Sequence, residues 1–349
     1  MSTDLSTHQH PSAPLPAPRS ASWGPMLAHF IYKYGLMVVL LLMILFFTIT
    51  QPFFGTFSNI MFILQASAVV AVVGLGCTFS MTVGGFDLSV GSTMSLVVMV
   101  AAGAMVIFNL SGPVAILLGL GAGVLVGVLN SLLIVYARIP DLIATLATMF
   151  LVNGVTLLAV NGQSIAAGMT FNGKMTTGTF SPVFKWLGFS SVLGVHSSVI
   201  IAAAVFLVIF VILNLTKWGR IFYAIGGNPL AAAAVGINVK RYRILAYLLS
   251  GFFAAIAGLI LLGLSNRADV DVGSAYLLQA VASALIGCAV LGANKPNAFG
   301  TMIGAVFVAI LINGLTMFNF PYYAQTFVQG VLLGAALLMS YTLGPKRRH

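Results

Sequence analysis

The sequence predicts an all-α integral membrane protein with about ten transmembrane helices and both termini cytoplasmic. Of its 349 residues, 60% are hydrophobic and 6% charged, against roughly 25% charged in an average soluble domain. Apolar runs of bilayer-spanning length recur along the whole chain. Lys and Arg gather in alternate connections between those runs. There is no Glu, and the acids are Asp4, Asp87, Asp141, Asp269 and Asp271. So few charges cannot cover a globule against water, which excludes a soluble enzyme. The net charge of +10 is no nucleic-acid footprint either, because the 15 Lys and Arg lie between apolar runs and at the ends.

Ten runs suit membrane helices: about 34–54, 57–82, 89–109, 112–137, 142–161, 197–215, 244–264, 276–293, 298–318 and 324–343. Turn-forming breaks separate them, among them Gln51-Pro52, Gly84-Gly85, Ser111-Gly112-Pro113, Ile139-Pro140-Asp141, Lys295-Pro296-Asn297 and Phe320-Pro321. Only Asp87, between the second and third runs, puts a charge at membrane depth. With the N-terminus inside, the inner side receives Arg19, Lys33, Arg138, Lys217, Arg220, Lys240, Arg241, Arg243, Lys295, Lys346, Arg347 and Arg348. The outer side receives Lys174, Lys185 and Arg267. Twelve against three sets the orientation, and adding or removing one span scrambles it.

Residues 1–30, polar and rich in Ser, Pro and His, read as a disordered cytoplasmic tail. Residues 31–344 form the transmembrane domain and 345–349 a basic cytoplasmic tail. The outer segment 162–196 has room for a short interfacial helix near Trp186. The inner segment 217–243 is basic and less apolar. Cys77 and Cys288 fall in apolar runs and read as small packed hydrophobes.

Several chemistries are missing. No GxxxxGK followed by Ser or Thr occurs, so the chain has no P-loop. Without Glu there is no HExxH metal site and no Glu-based proton relay. No Cys/His spacing suggests a metal, and no GxSxG elbow is present. An intramembrane aspartyl protease needs two facing carboxylates, and only one lies at depth. Energy for uphill transport would therefore enter from another polypeptide.

Two segments carry positional meaning. In the stretch Thr82 to Ser92, Gly84 and Gly85 permit a sharp reversal or unwound backbone, and Asp87 suits the N-cap of a helix starting at Leu88. Such a break lines a pathway, with Asp87 and Ser89 as its polar groups, or it is a capped helix end at the cytoplasmic surface. In the stretch Trp218 to Arg241, Asn228 can cap a helix whose first residue is Pro229, and Gly236 can end it after about two turns. That helix either sits in a groove on a partner or rests on anionic lipid.

These stretches resemble the permease subunits of bacterial ATP-binding cassette importers for monosaccharides, the ribose, xylose, arabinose and galactoside branch. The matching pieces are Gly84 to Ser92, Ile139 to Met149, Gly219-Arg220 with Ala224 to Asn228, Ala231-Ala232 with Val235 to Asn238, and Ser250-Gly251 with Ala257-Gly258. They occur in the family's order over about residues 35–343. The resemblance implies a multi-pass permease of the inner membrane, working as a homodimer or heterodimer. Two cytoplasmic ATPase subunits and a periplasmic sugar-binding protein would complete it. The chain itself would bind no cofactor, and the partner ATPase would use ATP. Gly226, Gly227, Asn228, Pro229, Ala232, Gly236 and Ile237 would then belong to the element coupled to the ATPase. Gly84, Gly85, Asp87 and Ser89 would be candidates for the translocation pathway. The sequence departs from the family at Asp141, where an aromatic is usual, at Asn153-Gly154, at Gln279 and over 287–295.

A stand-alone secondary transporter or facilitator of a small polar solute is the alternative, and a membrane enzyme a third reading. Gln65, Asn130, Asn153, Gln279, Asn313, Gln325 and Gln329 stand in apolar runs, where such side chains bond neighbouring helices or a passing sugar. Gly119, Gly121, Gly123 and Gly127 imply close packing of the fourth span.

Overall fold

The structure, a computed structural model, describes residues 23–289, 295–321, 323–331 and 334, with backbone alone at 23–33 and 289. In chain order the helices are α1 Trp23–Thr50, α2 Phe57–Thr82, α3 Val90–Val106 and α4 Gly112–Ser131, the last running on through a π-helical turn at Leu132–Tyr136. Next come α5 Asp141–Ala159, α6 Pro182–Phe189, α7 Ser197–Leu215, α8 Lys217–Gly227 and α9 Pro229–Ala234. Then follow α10 Val239–Ser265, α11 Ser274–Ala289 and α12 Ala298–Met317. Residues 323–331 are also helical. Two short hairpins, Thr170–Phe171 with Lys174–Met175 and Ser191–Val192 with Val195–His196, lie between α5 and α7.

Among the described residues, six helices are long and apolar enough to cross a membrane: Phe57–Thr82, Gly112–Tyr136, Asp141–Ala159, Ser197–Leu215, Val239–Ser265 and Ala298–Met317. Tyr34–Thr50, Val90–Val106 and Ser274–Cys288 are shorter apolar helices at the first, third and eighth runs. The tenth run lies mostly outside the described residues, as do 1–22, 290–294 and 345–349.

Several boundaries differ from expectation. Helix α1 begins at Trp23, so 23–30 are helical rather than part of a disordered tail, and it stops at Thr50 before the turn at Gln51 and Pro52. Helix α10 begins five residues early because the Asn238 side chain accepts the Arg241 N–H at 3.1 Å. Its first turns therefore carry Lys240, Arg241 and Arg243 beyond the apolar run. Helix α8 was not expected at all.

Helix α2 is the axis of the bundle. Every residue from Ser67 to Thr82 is buried, packed among α7, α10, α11 and α12. Small side chains let the backbones close up, which matters in a bilayer, where helices associate by packing rather than by leaving water. A Cβ on Gly76 would lie 3.1 Å from both Phe253 Cβ and the Ser250 carbonyl oxygen. The buried Thr78 hydroxyl bonds the Gly74 carbonyl at 2.9 Å and the Thr301 hydroxyl of α12 at 2.8 Å. Helix α4 packs on α10 in the same way. Cβ atoms on Gly123 and Gly127 would come within 2.6 Å of the Gly251 carbonyl and 2.7 Å of the Tyr247 carbonyl. Gly119 meets Leu259, whereas Gly121 faces open space.

The segment 162–196 does contain a short helix, α6, which buries one face on the bundle and leaves Trp186 and Phe189 exposed. Phe184 is fully buried, and the Gly188 and Gly263 backbones touch. Gln65 of α2 donates to the Gly188 carbonyl at 3.0 Å. Ile165 and Ala268 exchange backbone hydrogen bonds of 2.8 and 2.9 Å across that end. Lys174, Lys185 and Arg267 lie on this side of the bundle. Arg138, Lys217, Arg220, Lys240, Arg241, Arg243 and Lys295 belong to segments that converge on the other side, hereafter the basic end.

Candidate functional site

The site is built at the basic end, where α2 stops. Gly84 takes a left-handed conformation (φ +80°), open to any glycine but costly for residues with a Cβ. The Gly85 N–H then reaches the Ser80 carbonyl at 3.0 Å and the Gly84 N–H the Met81 carbonyl at 3.1 Å. This Schellman pair closes the helix on its own last carbonyls. The chain turns back and stays irregular until Val90, so the reversal expected at Gly84-Gly85 is present.

Asp87 is not the N-cap of a helix starting at Leu88. Helix α3 begins at Val90 behind Ser89, whose side chain makes no cap bond. Asp87 instead accepts the Ser89 N–H at 3.0 Å and the Ser89 hydroxyl at 2.6 Å on Oδ1. Asn130 of α4 donates to the same oxygen at 3.3 Å and to Ser89 Oγ at 2.8 Å. Ser250 of α10 donates to Oδ2 at 2.7 Å. The carboxylate is 3% exposed. Four groups thus hold one acid where α3, α4 and α10 meet.

Its depth follows from helix geometry. Ser250 lies seven positions beyond Arg243 on α10, or about 10 Å at 1.5 Å per residue. Asp87 is therefore inside the bundle, beneath the basic end. Asp87 is thus enclosed by protein and not at an exposed helix end. As a pathway lining, Asp87 and Ser89 are enclosed and spend their hydrogen bonds on protein in this conformation, as Gly85 is also buried. Gly84 alone of the four is exposed.

The second segment folds largely as its local chemistry requires. Asn228 accepts the N–H groups of Leu230 and Ala231, both at 3.0 Å, and Pro229 opens α9. Gly236 ends it at φ +84°. The Ile237 N–H bonds the Ala232 carbonyl at 3.1 Å and the Gly236 N–H the Ala233 carbonyl at 3.0 Å, a second Schellman pair. Gly227, Asn228, Pro229 and Gly236 are exposed, Ile237 is half-buried and Ala232 is buried, so Ala232 faces the bundle and not a partner. Leu230 and Val235 instead form the outward apolar surface, 81% and 76% exposed.

Gly226 joins the two segments. A Cβ there would run into the Thr82 carbonyl oxygen, and a Cβ on Gly84 would lie 3.7 Å from Gly226 Cα. Helix α8 is anchored further by Phe222 and Ile225, both buried, Phe222 edge-on to Phe79 of α2. Tyr223 donates its hydroxyl to the Pro296 carbonyl at 2.8 Å, and Lys295 stands 4.6 Å over its ring. Burial first, with the neighbouring Cys288 thiol second, pushes the Tyr223 phenol up to about 12, so it is a neutral donor.

Asp141 opens α5 and pairs with Arg243 at 2.6 Å. Any Cβ on Gly85 would collide with the Asp141 carboxylate and the Tyr247 hydroxyl. Thr145 bonds the Phe86 carbonyl at 3.4 Å. The 84–89 turn is thus gripped by α4, α5, α8 and α10 together. Ser250, Tyr247 and Arg243 were missed as members of this site, because their partners lie far away in sequence. Asn130 was visible as a lone amide in an apolar run, and it bonds a neighbour. Gln65, Asn313 and Gln325 also have protein partners.

The family described as branched-chain amino acid transport system / permease component matches residues 59–337. Ribose import permease protein RbsC of Escherichia coli (strain K12) is 34% identical over 303 residues, 87% of this chain and 92% of the relative. Its namesake in Bacillus subtilis (strain 168) is 33% identical over 307 residues, 88% and 92% of the two chains. Galactofuranose transporter permease protein YtfT of Escherichia coli (strain K12) is 31% identical over 312 residues, 87% and 88%. No solved structure matches the chain with significance. The chain belongs to this permease family and is a multi-pass membrane protein.

Proposed function

We propose that this member of the permease family is the membrane-spanning subunit of an ATP-binding cassette importer. It carries a monosaccharide or related small polyol inward across the bacterial inner membrane, and ATP is hydrolysed on a separate chain. The observation that carries the reading is the contact of Gly226 with the end of α2. It connects the exposed helix α9, which a cytoplasmic partner can push, to the buried break between α2 and α3. Leu230 and Val235, framed by Gly227, Asn228, Pro229 and Gly236, give that partner an apolar foothold.

The relatives named for ribose and galactofuranose favour a sugar. So does the electrostatics. The acid inside the bundle is already engaged by Ser89, Asn130 and Ser250 and so offers no free charge to a charged substrate in this conformation. A neutral polyol needs only hydroxyls and amides. The basic end is then cytoplasmic, with ten spans and both termini inside. Two such chains form the dimer, two ATPase subunits dock with one on α9 of each protomer, and a periplasmic sugar-binding protein delivers substrate at the opposite end. The chain needs no metal or cofactor of its own.

Purification from native membranes in mild detergent tests the assignment. An ATPase subunit should co-purify in stoichiometric amount, and proteoliposomes of the complex should import sugar only with ATP and the binding protein. A chain that purifies intact without an ATPase and moves solute unaided would overturn it.

A further inference from the structure

Between the start of α8 and the start of α10 the basic end opens into a cleft of about 510 Å³. Lys217 and Arg241 stand on its walls, with Trp218, Tyr242, Ile221 and Ile237 completing them. Neither cation has an acidic partner among the described residues, where the ion pairs are Arg243 with Asp141 and Arg267 with Asp269. The whole segment 217–243 contains no acid. Two unpaired cations on an apolar and aromatic floor suit an anion that carries hydrocarbon.

The cleft's position completes the match. Lys217 follows α7 by two residues, and α7 turns Leu207, Val208, Val211 and Leu215 outward as an apolar face. Trp218, half exposed, is the residue type that favours the level of lipid headgroups. We infer that this cleft binds an anionic phospholipid, its phosphate between Lys217 and Arg241 and its acyl chains along α7. Basic pockets between spans on the inner side of a membrane hold acidic headgroups in this way. The cleft borders α9 at Gly236 and Ile237, but the two cations that define it, Lys217 and Arg241, lie outside the α9 element.

The test is native mass spectrometry of the full chain in detergent, titrated with dioleoyl phosphatidylglycerol or with dioleoyl phosphatidylcholine. One phosphatidylglycerol should be retained in preference to phosphatidylcholine, and millimolar inorganic phosphate should not displace it. The double variant Lys217→Gln, Arg241→Gln should bind it about twenty-five-fold more weakly, at about fivefold per cation. The double variant Arg220→Gln, Lys240→Gln removes equal charge from the same end outside the cleft and should bind within about twofold of wild type. Equal loss in both double variants would mean diffuse attraction and overturn the site. So would retention of phosphatidylcholine to the same extent, or displacement by phosphate, which would mark a free-anion site. If the first double variant does not fold, the single variants Lys217→Gln and Arg241→Gln decide the matter by their separate losses.

Discussion

Gly226 and Gly84 meet backbone to backbone, so that an exposed helix at the basic end rests directly on the turn that ends the central helix of the bundle. Gly226 leaves no space for a side chain at the junction, and the left-handed backbone of Gly84 (φ +80°) disfavours one there. The turn in turn holds Asp87, and Asp87 holds α4 and α10. A displacement of α8 and α9 therefore reaches three membrane helices through one short piece of irregular chain.

Replacing Gly226 with Val should separate folding from coupling. The new side chain must displace the Thr82 carbonyl, an overpacking that costs about 1–3 kcal/mol. ATP-dependent uptake should fall at least tenfold, by the order-of-magnitude loss such a wedge implies, while the chain still reaches the membrane. Gly121→Ala is the control, since that position faces open space and lies outside the α8–α9 element. Uptake by Gly226→Val at the wild-type rate would show that the contact transmits nothing.

The Asp87 latch should behave as one unit. Ser250→Ala and Asn130→Ala each remove a donor from a buried carboxylate and should each cost about 1–3 kcal/mol. Because both act on the same acid, the double variant should depart from additivity by about 0.5–3 kcal/mol. Thermal unfolding in detergent measures the cycle. Strict additivity would mean that the two serve separate structures.

Local chemistry made part of this site readable in advance. Asn228, Pro229 and Gly236 announce a capped short helix, and Gly84 with Gly85 a reversal, because each acts within four or five residues of itself. Asp87 was visible as a lone acid at depth, but its partners Asn130 and Ser250 are 43 and 163 residues away. No local rule pairs them. Helix α8 was passed over because its buried side chains, Phe222 and Ile225, make too short a pattern to stand out beside the long apolar runs. Its inward face is defined by Thr82 and Phe79 of another helix.

The amide pair Asn59 and Asn313 should align α2 with α12. Each donates to the other, at 3.1 and 3.0 Å. Asn313→Leu leaves Asn59 without this partner and should cost about 0.5–2 kcal/mol, the range of interhelical polar bonds in membranes. Adding Asn59→Leu should cause little further loss, because no unpaired amide then remains. A double variant that loses the sum of two independent effects would argue against the pairing.

Tyr223 gives the basic end a defined response to alkali. Its hydroxyl donates to Pro296, and burial raises it to about 12 in the folded chain, against about 10 when unfolded. Below pH 10 both states keep the proton, and the contribution to stability is whole. Between about 10 and 12 the unfolded chain loses the proton while the folded chain retains it, so stability must fall as pH rises through that window. Tyr223→Phe should remove this alkaline loss and, at neutral pH, cost about 0.5–1.5 kcal/mol for the missing hydrogen bond. Unfolding midpoints of both proteins from pH 8 to 12 decide it. Curves that stay parallel across the window would show that Tyr223 does not titrate there.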